Sequence, residues 1–571
     1  MANQNYKVSN CALGEPRHLK VLMVGAGASG LNLARHMDLH MKNFELKIYE
    51  KNADVGGTWF ENRYPGCACD IPSHNYQFTW EPNPGWTQYY SSWDEILEYF
   101  RNIASKYELY KYIQLKHKVD EARWDQDAGV WNIKVSNLET GDTVEDWGHI
   151  LINGTGILKS VSPSISSKIG VNIYISNWKW PDIQGLQSFK GDLFHSATWN
   201  SEYKLEDKKV AVIGTGSSGI QIVSAVQPIV KSLVTFIRSP TWITAGFAQS
   251  HAGPGGSNFR YTEEQKEEFR TDPDKYRNYR KEIEGELNSR FRFIIANSNE
   301  QAEARRYSAN EMSSKLKDKK ILDSLMPKDF AIGCRRPTPG NGYLEALTES
   351  NVRVITDEIE SIVPDGIKLK TSEIVNIDSL ICATGFDLSF CPRFKLVGRG
   401  GCDIHEQWKD LPEAYLSVGV PGFPNYFLFL GPNAPVGHGS VLPIIEHATK
   451  YIINMMQKIQ TQQIKAVSPK AEAVKEFQEH TTEFMKRTAW ATPCRSWFKR
   501  GTIDGPIVAL HPGSRIHWFH MMQNIRFEDW EYDYWTGNRF QYLGNGFSTK
   551  EDPGLDTTWY FDAPEEGYVD Y

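Results

Sequence analysis

The chain lacks several features that would assign it to common protein classes. None of its apolar runs approaches the ~18 residues needed to span a bilayer, and its polar N-terminal segment has no apolar core typical of a secretory signal. Basic residues are not in excess, because 63 Lys and Arg stand against 70 Asp and Glu, for a formal net charge of −7. Nucleic-acid binding needs clustered positive charge. We therefore expect a cytoplasmic protein with no membrane span and no nucleic-acid partner; the sequence does not indicate its oligomeric state.

Cysteine is scarce and scattered. The chain has 8 cysteines, none of them in a Cys-x-x-Cys pair or a His/Cys metal pattern, and only Cys67 and Cys69 lie close together. In a reducing compartment such residues are usually buried or partly buried thiols. We therefore expect free thiols and no metal site.

Two segments have the hydrophobic pattern of a β-α-β unit. Residues 20–25 are an apolar run ending in glycine, helical periodicity follows, and the strand-like FELKIYE ends at Glu50. The pattern recurs over residues 209–238. A chain of 571 residues is too long for one hydrophobic core. The sequence therefore predicts an α/β protein with two Rossmann-like dinucleotide-binding domains.

The first unit contains the glycine loop VGAGASG, with Gly25, Gly27 and Gly30 at the G-x-G-x-x-G spacing. Glycines there let the backbone turn tightly and let a pyrophosphate approach the N-terminus of the helix, where free N–H groups favour an anion. Glu50 follows Gly30 by twenty residues, at the end of a strand. A carboxylate at that place accepts hydrogen bonds from ribose hydroxyls. This unit is predicted to bind a dinucleotide cofactor.

The second unit contains IGTGSSG, with Gly214, Gly216 and Gly219 at the same spacing. The position that holds an acid in NAD-binding folds is here Arg238, nineteen residues after Gly219. A guanidinium binds a 2′-phosphate in a bidentate manner, whereas an acid repels it. The second unit is therefore predicted to bind NADP rather than NAD.

The remaining segments suggest how the domains are arranged. Residues 261–319 are rich in Glu, Lys and Arg and poor in Pro, which indicates charged helices inserted in the second domain at about 250–330. GPNAPVGHGS at 431–440 precedes a helical run and indicates a return to the first domain. We expect a first dinucleotide-binding domain formed by residues 1–158 and 376–571, a second domain that binds NADP at 177–375, and an atypical Ser-rich loop insertion at 159–176.

Three further motifs carry a resemblance to a known family. They are FKGDLFHSATW at 189–199, GGTWFENRYPGCACD at 56–70 and the paired arginines of GCRRPTPG at 333–340. Together with the two glycine loops they resemble the Baeyer–Villiger monooxygenases of fungal type, flavin enzymes that insert one oxygen atom next to a ketone carbonyl. The resemblance extends from about residue 20 to about residue 530. Within it, His195 is expected to be structural rather than catalytic.

The resemblance also implies site residues. It gives catalytic roles to Arg336, as a cation over the flavin, and to Asp70, as the carboxylate that orients it. The first arginine, Arg335, stands where the family often has Lys and would help to hold the NADP phosphate. The complete predicted cofactor-binding set is Gly25, Gly27, Ser29, Gly30, Glu50, Gly57, Thr58, Trp59, Phe60, Glu61, Ala68, Cys69, Asp70, Ile71, Tyr76, Val119, Gly214, Thr215, Gly216, Ser217, Ser218, Gly219, Ile220, Gln221, Arg238, Ser239, Arg335 and Trp497.

The activity that the resemblance implies is oxidation of a small-molecule ketone to an ester or lactone, using NADPH and O₂, with FAD bound in the first domain supplying the oxygen chemistry. Bulky polyketide or terpenoid ketones of secondary metabolism are the expected substrate class. Two alternatives stay open. One is a flavin monooxygenase that oxidises nitrogen or sulfur, and the other is an uncoupled NADPH oxidase that only releases peroxide.

Overall fold

The computed structural model describes residues 6–157, 180–340, 342–386 and 389–562. The predicted insertion at 159–176 lies outside these residues. The helices are α1 Ala28–His40, α2 Thr58–Glu61, α3 Trp93–Lys106, α4 Ser217–Val226, α5 Glu263–Thr271, α6 Pro273–Ser289, α7 Asn299–Lys315, α8 Lys319–Leu325, α9 Tyr343–Ala346, α10 Ile404–Gln407, α11 Leu442–Thr461, α12 Ala471–Met485 and α13 Arg515–Gln523.

The first of two five-stranded parallel sheets contains the first glycine loop. Its strands, in spatial order, are β19 Tyr426–Leu428, β7 Ile150–Asn153, β1 Leu19–Val24, β2 Phe44–Tyr49 and β3 Ile113–Gln114. The apolar run expected at residues 20–25 is β1, and every one of its residues is buried, as in a strand covered on both faces. Strand β19 shows that the chain returns to this sheet after completing the second one.

The second parallel sheet contains the second glycine loop. Its strands, in spatial order, are β13 Val352–Ile355, β10 Ser232–Phe236, β9 Lys209–Ile213, β17 Ser379–Cys382 and β8 Asp192–His195. Strand β17 pairs with β9 and with β8, so the predicted change of domain at residue 376 is too early. The apolar SLIC run completes this sheet before the chain crosses back.

Smaller sheets flank the two parallel ones. A four-stranded sheet has the order β18 Lys395–Val397, β4 His117–Asp125, β5 Val130–Asn137 and β6 Thr143–Gly148. A three-stranded meander follows as β14 Ile359–Val363, β15 Gly366–Leu369 and β16 Ile374–Asn376, and two strand pairs are β11 Ile243–Thr244 with β12 Thr338–Pro339 and β20 Ile464–Pro469 with β21 Trp530–Tyr534.

The charged segment at 250–330 forms helices α5 to α8, as its composition predicts. Capping fixes where these helices begin: Thr262 and Gln265 form a capping box for α5, and the Asp272 side chain accepts a hydrogen bond from the first turn of α6. None of the described helices is long and apolar enough to cross a membrane.

The cysteine prediction is wrong for two residues. Cys334 and Cys494, 160 residues apart in sequence, form a disulfide, whereas the other six cysteines are free. Spacing gave no indication of this pair, because the fold brings together two loops from distant parts of the chain. The bond joins the loop that precedes Arg335 and Arg336 to the segment that precedes Trp497.

Candidate functional site

The first glycine loop has the geometry of a pyrophosphate cradle. Gly25 has a φ of +103°, and a Cβ atom there would lie 2.7 Å from the carbonyl oxygen of Gly154. A Cβ on Gly30 would lie 2.3 Å from the carbonyl oxygen of Gly25. Helix α1 begins at Ala28, and the preceding residue, Gly27, provides no side-chain cap, so N–H groups of the first turn are left for an anion.

Glu50 lies at the end of β2 and faces this loop. Its side chain is 4% exposed, Oε2 accepts a hydrogen bond from the backbone N–H of Ala26 (2.8 Å), and Oε1 accepts one from that of Asn52 (2.8 Å). Burial raises the pKa of Glu50. A carboxylate has about four lone-pair positions, so two remain for ribose hydroxyls. The geometry fits the ribose-binding role predicted from the sequence.

The segment from Gly57 to Tyr76 forms a wall next to this cradle. A Cβ on Gly57 would lie 3.1 Å from the Cα of Gly27, so the segment packs closely on the glycine loop. Trp59 donates a hydrogen bond from Nε1 to the hydroxyl of Tyr76 (3.1 Å), and their rings meet edge to face at 5.5 Å. The remaining predicted residues of the segment lie in or just after α2, with Cys69 and Ile71 buried, Thr58 exposed, and Phe60, Glu61 and Ala68 half-buried.

The second glycine loop has the same backbone geometry as the first. Gly214 has a φ of +130°, and a Cβ there would lie 2.2 Å from the carbonyl oxygen of Ala383. Helix α4 begins at Ser217; the preceding residue, Gly216, provides no side-chain cap, and a Cβ on it would meet no atom within 4 Å. The open space in front of α4 fits a phosphate group. Thr215, Ser217, Ser218, Gly219 and Ile220 lie in this loop and in the first turn of α4.

Three arginines gather beyond the second loop. Arg238 is exposed two residues after β10 ends, as the sequence predicts, and Ser239 is half-buried beside it. Burial and the charges of Arg238 and Arg495 lower the pKa of Arg335. None of the three is paired with a carboxylate within the described parts of the chain. Positive charge without a protein counter-ion is suited to a phosphate.

The two glycine loops are connected by side chains. Tyr64 donates a hydrogen bond from its hydroxyl to Oε1 of Gln221 (2.9 Å), and Gln221 donates one from Nε2 to the carbonyl of Ala68 (3.0 Å). Ser218 also donates to the Tyr64 hydroxyl (3.2 Å). Gln221, predicted as a cofactor contact, therefore holds the wall of the first cradle against the helix of the second.

The centre of the site is an ion pair between Arg336 and Asp70. Arg336 donates from Nε to Oδ2 (2.8 Å) and from Nη2 to Oδ1 (2.9 Å), and Nη1 donates to the carbonyl of Val436 (3.2 Å). Burial disfavours the guanidinium charge, but Asp70 outweighs that effect and raises the pKa of Arg336. The guanidinium also lies 5.2 Å from the ring of Phe247. The structure thus brings together the two residues predicted to be catalytic.

His195 and Trp199 are structural elements of the second sheet. His195 ends β8, is 1% exposed, and accepts a hydrogen bond at Nδ1 from the backbone N–H of Ala197 (3.2 Å). Burial lowers the pKa of His195 from 6.5 to about 4. Trp199 packs at 5.0 Å against Phe194. The structural role expected for His195 stays a prediction.

Two predicted contacts lie further from this centre. Val119 is buried in β4, opposite Val135 of β5. Trp497 is half-buried and packs against Phe498 at 4.5 Å, in the segment tied to the arginine loop by the disulfide. Neither position adds a polar group to the site.

Sequence reasoning missed two residues that the geometry singles out. Arg495 lies close enough to Arg335 for its charge to act on it, as that of Arg238 does, although Arg495 is far from both in sequence. His438 lies two residues after Val436, within a segment noted only as a return to the first domain. Both are visible in the sequence as charged or titratable residues in glycine- or proline-rich segments, but only the fold places them beside the arginine pair.

Comparisons with known proteins agree with this geometry. The family profile described as flavin-binding monooxygenase-like matches residues 18–253. The FAD-binding monooxygenase tazF of Aspergillus terreus is 41% identical over 536 residues, covering 93% of this chain and 92% of its own. A Baeyer-Villiger monooxygenase of Pseudomonas aeruginosa is 30% identical over 501 residues, covering 87% and 88%. The crystal structure of cyclohexanone monooxygenase from Rhodococcus sp. Phi1 bound to NADP⁺ has a similar fold, with a TM-score of 0.76 at 24% identity over 91% of this chain and 100% of that one.

Proposed function

Because the chain belongs to the family of FAD-binding, Baeyer–Villiger monooxygenases, we propose that it inserts one oxygen atom from O₂ next to the carbonyl of a ketone, giving an ester or lactone. The observation that carries this proposal is the bidentate pair of Arg336 and Asp70, placed where the walls of the two nucleotide cradles meet. A heteroatom oxidase or a peroxide-releasing oxidase needs the cradles but has no evident need for this cation.

The residues present fit the two cofactors. The N-terminus of α1 and the carboxylate of Glu50 would hold the pyrophosphate and a ribose of FAD. The N-terminus of α4 would hold the pyrophosphate of NADPH, and Arg238, Arg335 and Arg495 would hold its 2′-phosphate. When bound, NADPH reduces FAD and the reduced flavin activates O₂.

The protein's own contribution is charge held in a fixed position. Asp70 fixes two of the guanidinium nitrogens of Arg336, and the Val436 carbonyl fixes the third. A cation already in place stabilises negative charge as it develops on the ketone oxygen, without the cost of reorganising solvent. Asp70 acts as a positioning residue, because it acts on the reacting atoms only by holding Arg336 in place.

We place the substrate among the bulky ketones of secondary metabolism. The support is the likeness to relatives named as FAD-binding monooxygenases from fungi, such as tazF of Aspergillus terreus and stcW of Emericella nidulans, the latter 34% identical over 545 residues. Two aromatic side chains, Phe247 beside Arg336 and Phe291 beside His438, provide flat apolar surface for a ring system.

The test follows NADPH, O₂, peroxide and product together. The purified holoprotein receives NADPH alone, or NADPH with a panel of cyclic and polycyclic ketones, thioanisole or a tertiary amine, and products are identified by mass spectrometry. We expect ester or lactone from at least one ketone. Sulfoxide or N-oxide as the only product would establish the heteroatom activity. Release of one peroxide for each NADPH consumed, with every substrate and without substrate, would establish the oxidase.

A further inference from the structure

The segment Val436–Ser440 is held at each end by an arginine. At its start, the carbonyl of Val436 accepts the hydrogen bond from Arg336. At its end, Arg515 lies within 3.4 Å of the Ser440 carbonyl, and a Cβ on Gly439 would lie 2.3 Å from the guanidinium carbon of Arg515. The segment is therefore fixed between the proposed catalytic cation and a second guanidinium.

Arg515 is itself firmly placed. Its side chain is fully buried, Nη2 lies 2.5 Å from a carboxylate oxygen of Glu284, and Nε donates to the side chain of Asn288 (2.7 Å). Both partners lie on α6 of the inserted helices. Helix α6 and the segment Val436–Ser440 are thus held together by one arginine, and His438 lies at the centre of that segment.

The hydrogen bonding of His438 fixes where its proton lies. Nε2 accepts a hydrogen bond from the backbone N–H of Arg515 (3.3 Å), so in the neutral ring the proton is on Nδ1. Burial, with the charges of Arg515 and Arg336, lowers the pKa of His438 to about 3, and the ring stays neutral at physiological pH. The residue is 3% exposed.

Nδ1 of His438 has no hydrogen-bond partner within the described residues. Buried donors are almost always satisfied, and one that lacks a protein partner is expected to bind a ligand or a water molecule. The ring of Phe291, which is half-buried, packs 5.3 Å from that of His438, so one side of the imidazole borders an apolar aromatic surface.

We propose that the Nδ1–H of His438 donates a hydrogen bond to the oxygen of the ketone substrate, as a second donor beside Arg336. This inference rests on the proposed function. A neutral donor interacts weakly with a carbonyl and more strongly with the negative charge that develops when the carbonyl carbon is attacked. His438 therefore acts mainly on kcat, and it selects substrates whose carbonyl oxygen reaches both Nδ1 of His438 and the guanidinium of Arg336.

The experiment compares variants that keep or remove the donor. His438→Leu removes it, whereas His438→Asn places an amide N–H close to the position of Nδ1. With cyclohexanone, 2-phenylcyclohexanone and 1-tetralone as probes, we expect His438→Leu to lower kcat for ester formation about tenfold to a hundredfold, with a smaller change in KM. His438→Asn should recover most of that loss. The rate of flavin reduction by NADPH, measured without O₂, should not change in either variant.

The matched control is His447→Leu. His447 is a half-buried histidine of α11 that stacks on Phe519 of α13, and none of its described contacts is with Arg335 or Arg336. If both His438 variants have the kcat and KM of the parent, Nδ1–H donates only to a buried water molecule. That result would overturn the inference. If the parent forms no ester from any ketone, the proposed function fails, which is a separate result.

A second readout does not depend on turnover. In protein labelled with ¹⁵N-histidine, the resonance that disappears in His438→Asn identifies the ring, and its nitrogen shifts report which nitrogen carries the proton. We expect a protonated Nδ1 whose shift moves on addition of cyclohexanone. A protonated Nε2, or a resonance that ignores the ketone, contradicts the inference.

Discussion

Replacing Arg336 with alanine separates the proposed chemistry from cofactor binding. The guanidinium makes three hydrogen bonds, two to Asp70 and one to Val436, and none to either glycine cradle. The side chains of Arg336 and Asp70 are 22% and 25% exposed, so water can solvate the carboxylate that is left behind. We expect a stability loss of about 1–3 kcal/mol, which a protein of ordinary stability survives.

The effect on catalysis should be much larger than the effect on folding. Removing one preorganised donor from a developing oxyanion lowers kcat by about 10²–10³-fold, and here a full positive charge is lost as well. Arg336→Ala should bind FAD and remain yellow, accept electrons from NADPH, and release peroxide in place of ester. The assay measures flavin reduction without O₂, then NADPH consumption, peroxide and ester with O₂.

The control for this variant is Arg353→Ala. Arg353 forms a bidentate pair with Glu373 at 2.6 and 2.8 Å, but at the exposed edge of the second sheet. The Arg353→Ala variant should form ester at the same rate as the parent. Arg336→Lys keeps the positive charge but loses the planar guanidinium fork, so its rate of ester formation should lie between that of the parent and that of Arg336→Ala. Ester formation by Arg336→Ala at a rate near that of the parent would refute the role given to Arg336.

Three further outcomes follow from the site. Arg238→Ala should raise KM for NADPH about ten- to a hundredfold, from loss of a charge-assisted contact, and leave KM for NADH nearly constant; equal effects on both would contradict the phosphate assignment. Glu50→Gln should weaken FAD retention at least tenfold, measured by flavin release on dilution, because its amide N–H₂ would face an N–H donor such as that of Ala26. Cys334→Ser with Cys494→Ser should lower the free energy of unfolding by at most about 5 kcal/mol, since the bond closes a loop of 160 residues; an unchanged midpoint in denaturant would show that the bond does not form.

The sequence predicted the parts of this fold that depend on local pattern. The β-α-β units, the two glycine loops and the charged helices each depend on residues close together in the chain, and they are found where expected. The family and the enzyme class are confirmed by the relatives, and the pairing of Arg336 with Asp70 by the geometry. That pairing came from the resemblance, because nothing in the spacing of residues 70 and 336 predicts contact.

What the sequence could not predict depends on long-range contacts. Strand β17 was placed in the wrong domain because a four-residue apolar strand gives no sign of which sheet it joins. Cys334 and Cys494 are 160 residues apart, and free and bonded cysteines look alike in sequence. The roles of Arg495 and His438 could not be predicted, because they depend on neighbours that are distant in sequence and close only in the fold.

The strand that ends at His195 has a mechanical consequence. It forms the edge of the second sheet and pairs with β17 from Asp192 to His195, and a Cβ on Gly191 would collide with the carbonyl oxygen of Asp378 at 2.4 Å. The motif at 189–199 thus contains the point at which the chain enters the second sheet, and no side chain fits at position 191 beside the Asp378 carbonyl. We expect Gly191→Ala to displace the start of this strand from β17 and so to disturb the edge of the sheet on which His195 lies.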